Sequence, residues 1–113
     1  NLITKKQFRI MKKNCVLINT ARGGIVNEED LFWALKNKQI YAAGLDVYEK
    51  EPPKINHPLF KLENIVLTPH NAALTLECRK RMALECAENI NYYLNKSSKL
   101  NYSNIVNRKY LDL

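Results

Sequence analysis

The sequence predicts an α/β fold on a parallel sheet, read as the second half of a doubly wound arrangement. Three observations predict it. Short apolar runs, Cys15–Ile18, Ala42–Val47 and Asn64–Thr68, are interleaved with helical stretches that carry one apolar face, the alternation of a parallel α/β sheet. Each run closes on residues that turn or stop a strand: Gly23-Gly24, the Pro52-Pro53 loop and Pro69. Finally, three strands alone leave their outer edges and a helix-facing surface open and make a poor stand-alone domain.

The elements follow in order. Thr4 and Gln7 form a capping box, predicting a short helix to about Lys12 with Phe8 and Met11 turned inward. Cys15–Ile18 has the composition of a strand buried on both faces. Asn27 followed by Glu28, Glu29 and Asp30 is an N-cap with acids in the first turn, where they complement the helix dipole. Leu31, Ala34 and Leu35 form the inner face of that helix; Phe32 and Trp33 beside them read as packing residues. A second strand is expected over Ala42–Val47 and a third over Asn64–Thr68, ended by Pro69. Thr75 caps a long helix to about Leu94, whose Met82, Cys86, Ile90 and Leu94 recur at i+4 spacing and read as a core stripe. The tail from Ser97 is polar apart from Ile105-Val106, an apolar island expected to dock elsewhere.

A length of 113 residues allows one modest domain, and 46% hydrophobic with 26% charged residues fits a soluble globular protein. No apolar run approaches the roughly 18 residues of a membrane span, so no membrane partner is expected. The start, Asn1-Leu2-Ile3-Thr4, has no initiator Met and no signal core; it reads as an interior cut, and the chain as a fragment. The net charge of +7 is spread over scattered lysines and arginines, and the one triplet, Arg79-Lys80-Arg81, has no interleaved aromatics. No nucleic-acid partner is expected from that pattern. Cys15, Cys78 and Cys86 show no zinc-type spacing, and eight helical residues put Cys78 about 12 Å from Cys86, beyond disulfide reach. No metal site is expected, and reduced thiols point to a cytoplasmic location.

Ligands of parallel α/β sheets bind at the carboxyl ends of the strands. Arg22 follows the first strand, Asp46 and Glu51 end or follow the second, and His70 follows the third. A cation, a carboxylate and an imidazole delivered to one sheet edge form a candidate acid–base site. His57, in a proline-bearing loop, reads as loop packing, and Glu49 and Lys50 as solvated neighbours.

Asn19-Thr20-Ala21-Arg22-Gly23-Gly24 resembles the Asn-x-x-Arg-Gly segment of D-isomer-specific 2-hydroxyacid dehydrogenases. Asp46-Val47-Tyr48-Glu49-Lys50-Glu51-Pro52 is similar to their Asp-Val-(aromatic)-x-x-Glu-Pro segment, and Thr68-Pro69-His70 to their Thr-Pro-His. His57-Pro58-Leu59 lies between the last two, as in the family. Order and spacing agree over residues 1 to about 95, and the flavour is closest to phosphoglycerate dehydrogenase-like and hydroxypyruvate reductase-like members. The resemblance implies a Rossmann-type dinucleotide-binding domain, with residues 1–75 its C-terminal half. Residues 76–113 would be a crossover helix and tail belonging to a substrate domain.

It also implies an oxidoreductase moving a hydride between NAD(P)H and the carbonyl of a 2-keto acid, such as those related to 3-phosphoglycerate, hydroxypyruvate or glyoxylate. His70 would be the acid/base, Glu51 its partner and Arg22 the substrate clamp. The chemistry agrees. A guanidinium grips carboxylate and carbonyl oxygens with a planar fork. The alkoxide left by hydride transfer needs a proton, which an imidazole with a reference pKa of about 6.5 can hold near neutrality, and a nearby carboxylate favours the charged ring. Thr20, Ala21, Arg22, Asp46, His70, Asn71, Ala72 and Ala73 would line the nicotinamide end of the cofactor, Asp46 meeting the carboxamide. Asn71-Ala72-Ala73 departs from the family's usual Ile-Gly-Ala or Ile-Gly-Gly. Glu51 argues against the formate dehydrogenase branch, which carries Gln there.

The chain has no Gly-x-Gly-x-x-Gly, the loop that presents backbone N–H groups to a pyrophosphate. The ribose-reading residue is absent too, so NAD and NADP both stay open, with NAD favoured. A dinucleotide-sensing corepressor-like binding protein is the alternative to an enzyme, because such proteins keep similar catalytic residues. The complete protein is expected to be a homodimer.

Overall fold

The computed structural model describes residues 1–99 and 101–110. The chain forms two compact units, Asn1–Ala72 and Ala73–Leu113. In the first, strands β1 (Val16–Asn19), β2 (Ala42–Leu45) and β3 (Ile65–Leu67) form a parallel sheet in the order β1-β2-β3. The expected alternation is therefore present, with β1 and β3 at the two edges. Ile18, Gly44 and Val66 stand in register across the sheet.

Helix α1 covers only Lys5–Phe8, shorter than the sequence suggests. Gln7 Oε1 accepts both the backbone N–H and the hydroxyl of Thr4, at 3.0 and 2.7 Å, so the capping residues do meet. Beyond Phe8 the backbone tightens, with Ile10 N–H on Gln7 O and Met11 N–H on Phe8 O, both at 3.1 Å. These three-residue bonds favour an i, i+3 alignment, which turns Phe8 and Met11 to the same core and leaves Ile10 exposed.

Helix α2 (Glu28–Lys36) begins as expected: Asn27 Oδ1 accepts the Asp30 N–H at 2.8 Å. Asp30 Oδ2 accepts the Lys5 N–H at 2.8 Å and so joins α2 to α1. Leu31, Ala34 and Leu35 are buried against Phe8, Ile40, Ala43, Leu45 and Leu59. Each large aliphatic residue so covered contributes about 1.5–3 kcal/mol. Phe32 and Trp33 pack on the margin of this core, with Lys5 Nζ 4.4 Å from the Trp33 ring centroid.

Core burial is confined to one sheet face. Leu17, Ala43, Leu45, Ile65 and Leu67 join the core, whereas Val16, Ile18 and Val66 are 53%, 71% and 69% exposed. The strands are therefore buried on one face rather than both, and the other lies open, as expected of half a doubly wound sheet. Their apolar composition is real, but α2 and the loops cover a single face, and alternate side chains point away from it.

In the second unit α3 spans Leu76–Leu94, and Thr75 Oγ1 accepts the Cys78 N–H at 3.1 Å. The apolar stripe is present on this helix, yet α3 has no buried residue, and Met82, Cys86, Ile90 and Leu94 are exposed. Reading that stripe as core is corrected: periodicity defines an apolar face without supplying the layer that would cover it. Short 3-10 turns follow at Tyr102–Asn104 and Arg108–Tyr110. Between them Ile105 and Val106 line a groove of about 540 Å³ together with Ile90, Tyr93 and Leu94.

Candidate active site

The carboxyl ends of β1, β2 and β3 carry the chemistry-bearing residues, and each is held there by a distinct local device. After β1, the buried Asn19 braces the turn: its Oδ1 accepts the Ala21 N–H at 3.1 Å and its Nδ2 donates to Arg22 O at 3.0 Å. Thr20, Ala21 and Arg22 are exposed on that turn. The Arg22 guanidinium folds back onto Ala21 O at 2.7 Å. Gly23 lets the turn approach the loop after β2, because an added Cβ would sit 1.8 Å from Tyr48 O.

After β2, Asp46 is only 3% exposed. Its Oδ1 accepts the Thr68 hydroxyl and, at 2.9 Å, the Asn71 N–H; Oδ2 accepts the Ala72 N–H at 2.9 Å. The Thr68 hydroxyl, followed by the two backbone N–H groups, holds the Asp46 carboxyl below its ordinary range against the opposing effect of burial. Ionised Asp46 therefore ties the loop after β3 to the end of β2. Between its anchors lies His70, with φ at +55°. That left-handed conformation costs a non-glycine residue about 1–2 kcal/mol, and the paired bonds to Asn71 and Ala72 hold it.

Glu51 and His70 meet: His70 Nδ1 lies 2.7 Å from Glu51 Oε2. Glu51 Oε1 accepts the Tyr48 N–H at 3.0 Å. The bond from His70, and after it that from Tyr48, holds the Glu51 carboxyl below its usual value. Ionised Glu51 offers acceptors alone, so Nδ1 of His70 is the donor, leaving Nε2 for exchange with a ligand. Tyr48 donates its hydroxyl to Thr68 O at 3.0 Å, and burial first, then the nearby carboxylates, raises its pKa.

Of the residues the sequence singles out, Glu51 pairs with His70, and Asp46 with Asn71 and Ala72. Thr20, Asp46 and Ala72 also line a shallow trough of about 320 Å³ with Ile18, Gly44 and Val66. The Arg22 guanidinium is bonded to Ala21 O and not to the Glu51–His70 pair, and Ala73 opens the second unit. His57 is seated in its loop, Nδ1 accepting the Leu59 N–H at 3.4 Å. Glu49 is exposed but not merely solvated, since its carboxylate accepts the Glu28 N–H at 3.2 Å. Asn19, Tyr48 and Thr68 are site residues that the sequence does not single out; the short side-chain-to-backbone reach of Asn is the available signal for the first. Among the described residues no cluster of His, Cys, Asp and Glu is arranged to hold a metal. No helix among them is long and apolar enough to cross a membrane.

A family model described as "D-isomer specific 2-hydroxyacid dehydrogenase, NAD binding domain" matches residues 1–72. The D-3-phosphoglycerate dehydrogenase of Archaeoglobus fulgidus is 47% identical over 106 residues, covering 94% of this chain and 20% of that protein. The glyoxylate reductase of Thermofilum pendens is 51% identical over 90 residues, 80% of this chain and 26% of that protein. The chain thus spans about a fifth to a quarter of the length of these relatives. Among solved structures, the NAD-complexed D-isomer specific 2-hydroxyacid dehydrogenase of Lactobacillus delbrueckii ssp. bulgaricus superposes with a TM-score of 0.76 at 32% identity. It covers 86% of this chain and 33% of its own. These relatives are enzymes, and they lend nothing to the corepressor-like alternative.

Proposed function

The chain belongs to the D-isomer specific 2-hydroxyacid dehydrogenase family through its NAD binding domain, and from that membership we propose that it serves hydride transfer between NAD(P)H and the carbonyl of a 2-keto acid. The observation that carries this reading is the 2.7 Å contact between His70 Nδ1 and Glu51 Oε2, at the sheet edge where Arg22 also stands. A bound nicotinamide dinucleotide supplies the hydride. His70 gives the proton from Nε2 to the oxygen of the reduced carbonyl, while Glu51 stabilises the charged ring and fixes its tautomer. Arg22 releases Ala21 O to grip the substrate carboxylate with its planar fork.

The residues fit a nicotinamide. A carboxylate offers about four acceptor sites, and Asp46 uses three, on Thr68, Asn71 and Ala72. The fourth suits a carboxamide N–H. Thr20, Ala21, Arg22, His70, Asn71, Ala72 and Ala73 complete that end of the cofactor. We assign residues 1–75 to the cofactor domain and residues 76–113 to a crossover helix and tail of the substrate domain. The named relatives support substrates of the class of 3-phosphoglycerate or glyoxylate, and hydroxypyruvate is a 2-keto acid of the same class. Free Cys15, Cys78 and Cys86 accord with a cytoplasmic enzyme, and we take the complete protein to be a homodimer.

The test is reductive kcat/KM against pH in the complete enzyme and three variants. His70→Ala should lower the rate about 10²- to 10⁴-fold across the range, as for loss of a general acid. Arg22→Lys should chiefly raise KM for the keto acid. Glu51→Gln, which removes the charge but keeps a hydrogen-bonding side chain, should lower kcat more than it raises KM; an unchanged kcat removes Glu51 from this role.

A further inference from the structure

Glu28 lies outside the reacting groups, at the first position of α2, yet its carboxylate reaches both ends of the loop that carries Glu51. Glu28 Oε1 accepts the Glu49 N–H at 2.7 Å, and the Glu49 carboxylate returns the bond to the Glu28 N–H. Glu28 Oε2 lies 3.1 Å from His57 Nε2. One carboxylate therefore ties residue 49 and residue 57, with Glu51 on the segment between them.

Capping of α2 does not account for this arrangement. The Glu49 carboxylate already meets an N–H at the positive end of the helix dipole, and an acid at the first helical position gains from that dipole while facing water. Glu28 instead turns its carboxylate onto the loop, with its side chain only 11% exposed. Covering a charge in this way is costly unless it is bonded, and the two loop contacts are those bonds. The Glu51–His70 pair, by contrast, is 37% and 47% exposed, so packing does little to hold it. Its geometry depends on the backbone from which Glu51 hangs, two residues beyond the Glu28 anchor.

We propose that Glu28 is a positioning residue for the Glu51–His70 pair, clasping the 49–57 loop at both ends so that the Glu51 carboxylate stays on His70 Nδ1. The proposal rests on the reading of Glu51 and His70 as partners, and its test reads a proton rather than turnover.

The chain contains two histidines, so ring ¹⁵N–¹H spectra of the full 113-residue chain report the clasp at His57 and the pair at His70. The parent should show a His70 Nδ1–H protected from exchange with water. In Glu28→Ala that proton should exchange about tenfold faster or more, the scale for losing a hydrogen bond to a charged group. Glu28→Gln, which keeps an acceptor for Glu49, and His57→Asn, which frees one end of the loop, should give smaller increases. Unchanged His70 exchange in these variants, with the His57 signals displaced or absent, overturns the proposal. If Glu28→Ala loses its dispersed amide spectrum, the other two variants decide by the same criterion. Glu51→Gln separates the premise: unchanged His70 exchange there, or no protected proton in the parent, overturns the pairing and the clasp together. A change in Glu51→Gln alone overturns the clasp and leaves the pairing standing.

Discussion

Gly23 and Gly24 are adjacent and do different things. A Cβ on Gly23 would meet the backbone oxygen of Tyr48 at 1.8 Å, whereas a Cβ on Gly24 meets nothing within 4 Å but must sit at a φ of +74°. Gly24→Ala should therefore cost about 1–2 kcal/mol of stability. Gly23→Ala should cost at least about 1–3 kcal/mol, as overpacking does, and also displace the Tyr48–Glu51 loop. Denaturant unfolding with amide shifts at Tyr48 and Glu51 checks both: equal shift changes in the two variants would mean that the close approach is not real. Glu51 itself makes a prediction about acid. His70 and Tyr48 hold its carboxyl below the ordinary value, so its folded pKa lies under the unfolded one of about 4.3. Its stabilising contribution is complete above that unfolded value and is lost as pH falls through the folded one. The Glu51 carboxyl ¹³C signal should titrate below that of a free glutamate, and move back toward it in His70→Ala. These residues were legible because the motif spacing marked them. The Asp46 anchor was less so: two of its three partners are backbone N–H groups 25 and 26 residues away, and every residue type but proline supplies one.

Among elements, α2 was the most legible, because its cap, its acidic first turn and its inner face all agree. Leu35, 2% exposed in the core, makes that agreement measurable. Leu35→Ala should destabilise the first unit by about 2–5 kcal/mol; a loss below about 1 kcal/mol in chemical denaturation would show that the core reorganises around the gap. Helix α1 ended early because sequence signals mark helix starts better than the point at which i→i−4 bonding gives way to tighter turns. Burial falls short of what apolar composition suggests on the strands and on α3 for a common reason. An apolar side chain reports a tendency to be covered, and the covering layer is a property of other segments. Val16, Ile18 and Val66 carry that tendency on the sheet, and Met82 and Ile90 carry it on α3, while all five remain more than half exposed.

At the scale of the whole molecule, the residues proposed for the nicotinamide end of a cofactor site are in the chain, and the glycine-rich phosphate loop is not in the sequence. Cofactor binding is what would hold the hydride near the carbonyl, so the 113-residue chain alone should not oxidise NADH or NADPH with glyoxylate or hydroxypyruvate. Absorbance loss at the nicotinamide band above that of a His70→Ala control would contradict this. The three-stranded order has a further consequence. With β1 and β3 both at edges, each copy of the chain is a bifunctional monomer in the polymer sense: it carries two unlike ends, each able to accept a strand. Pairing one end with its complement on another copy leaves one of each kind still open, so such growth stops only where it closes into a ring. Whatever satisfies either edge acts as a chain terminator, and a sheet covered on the same side in every copy leaves no complementary end for growth.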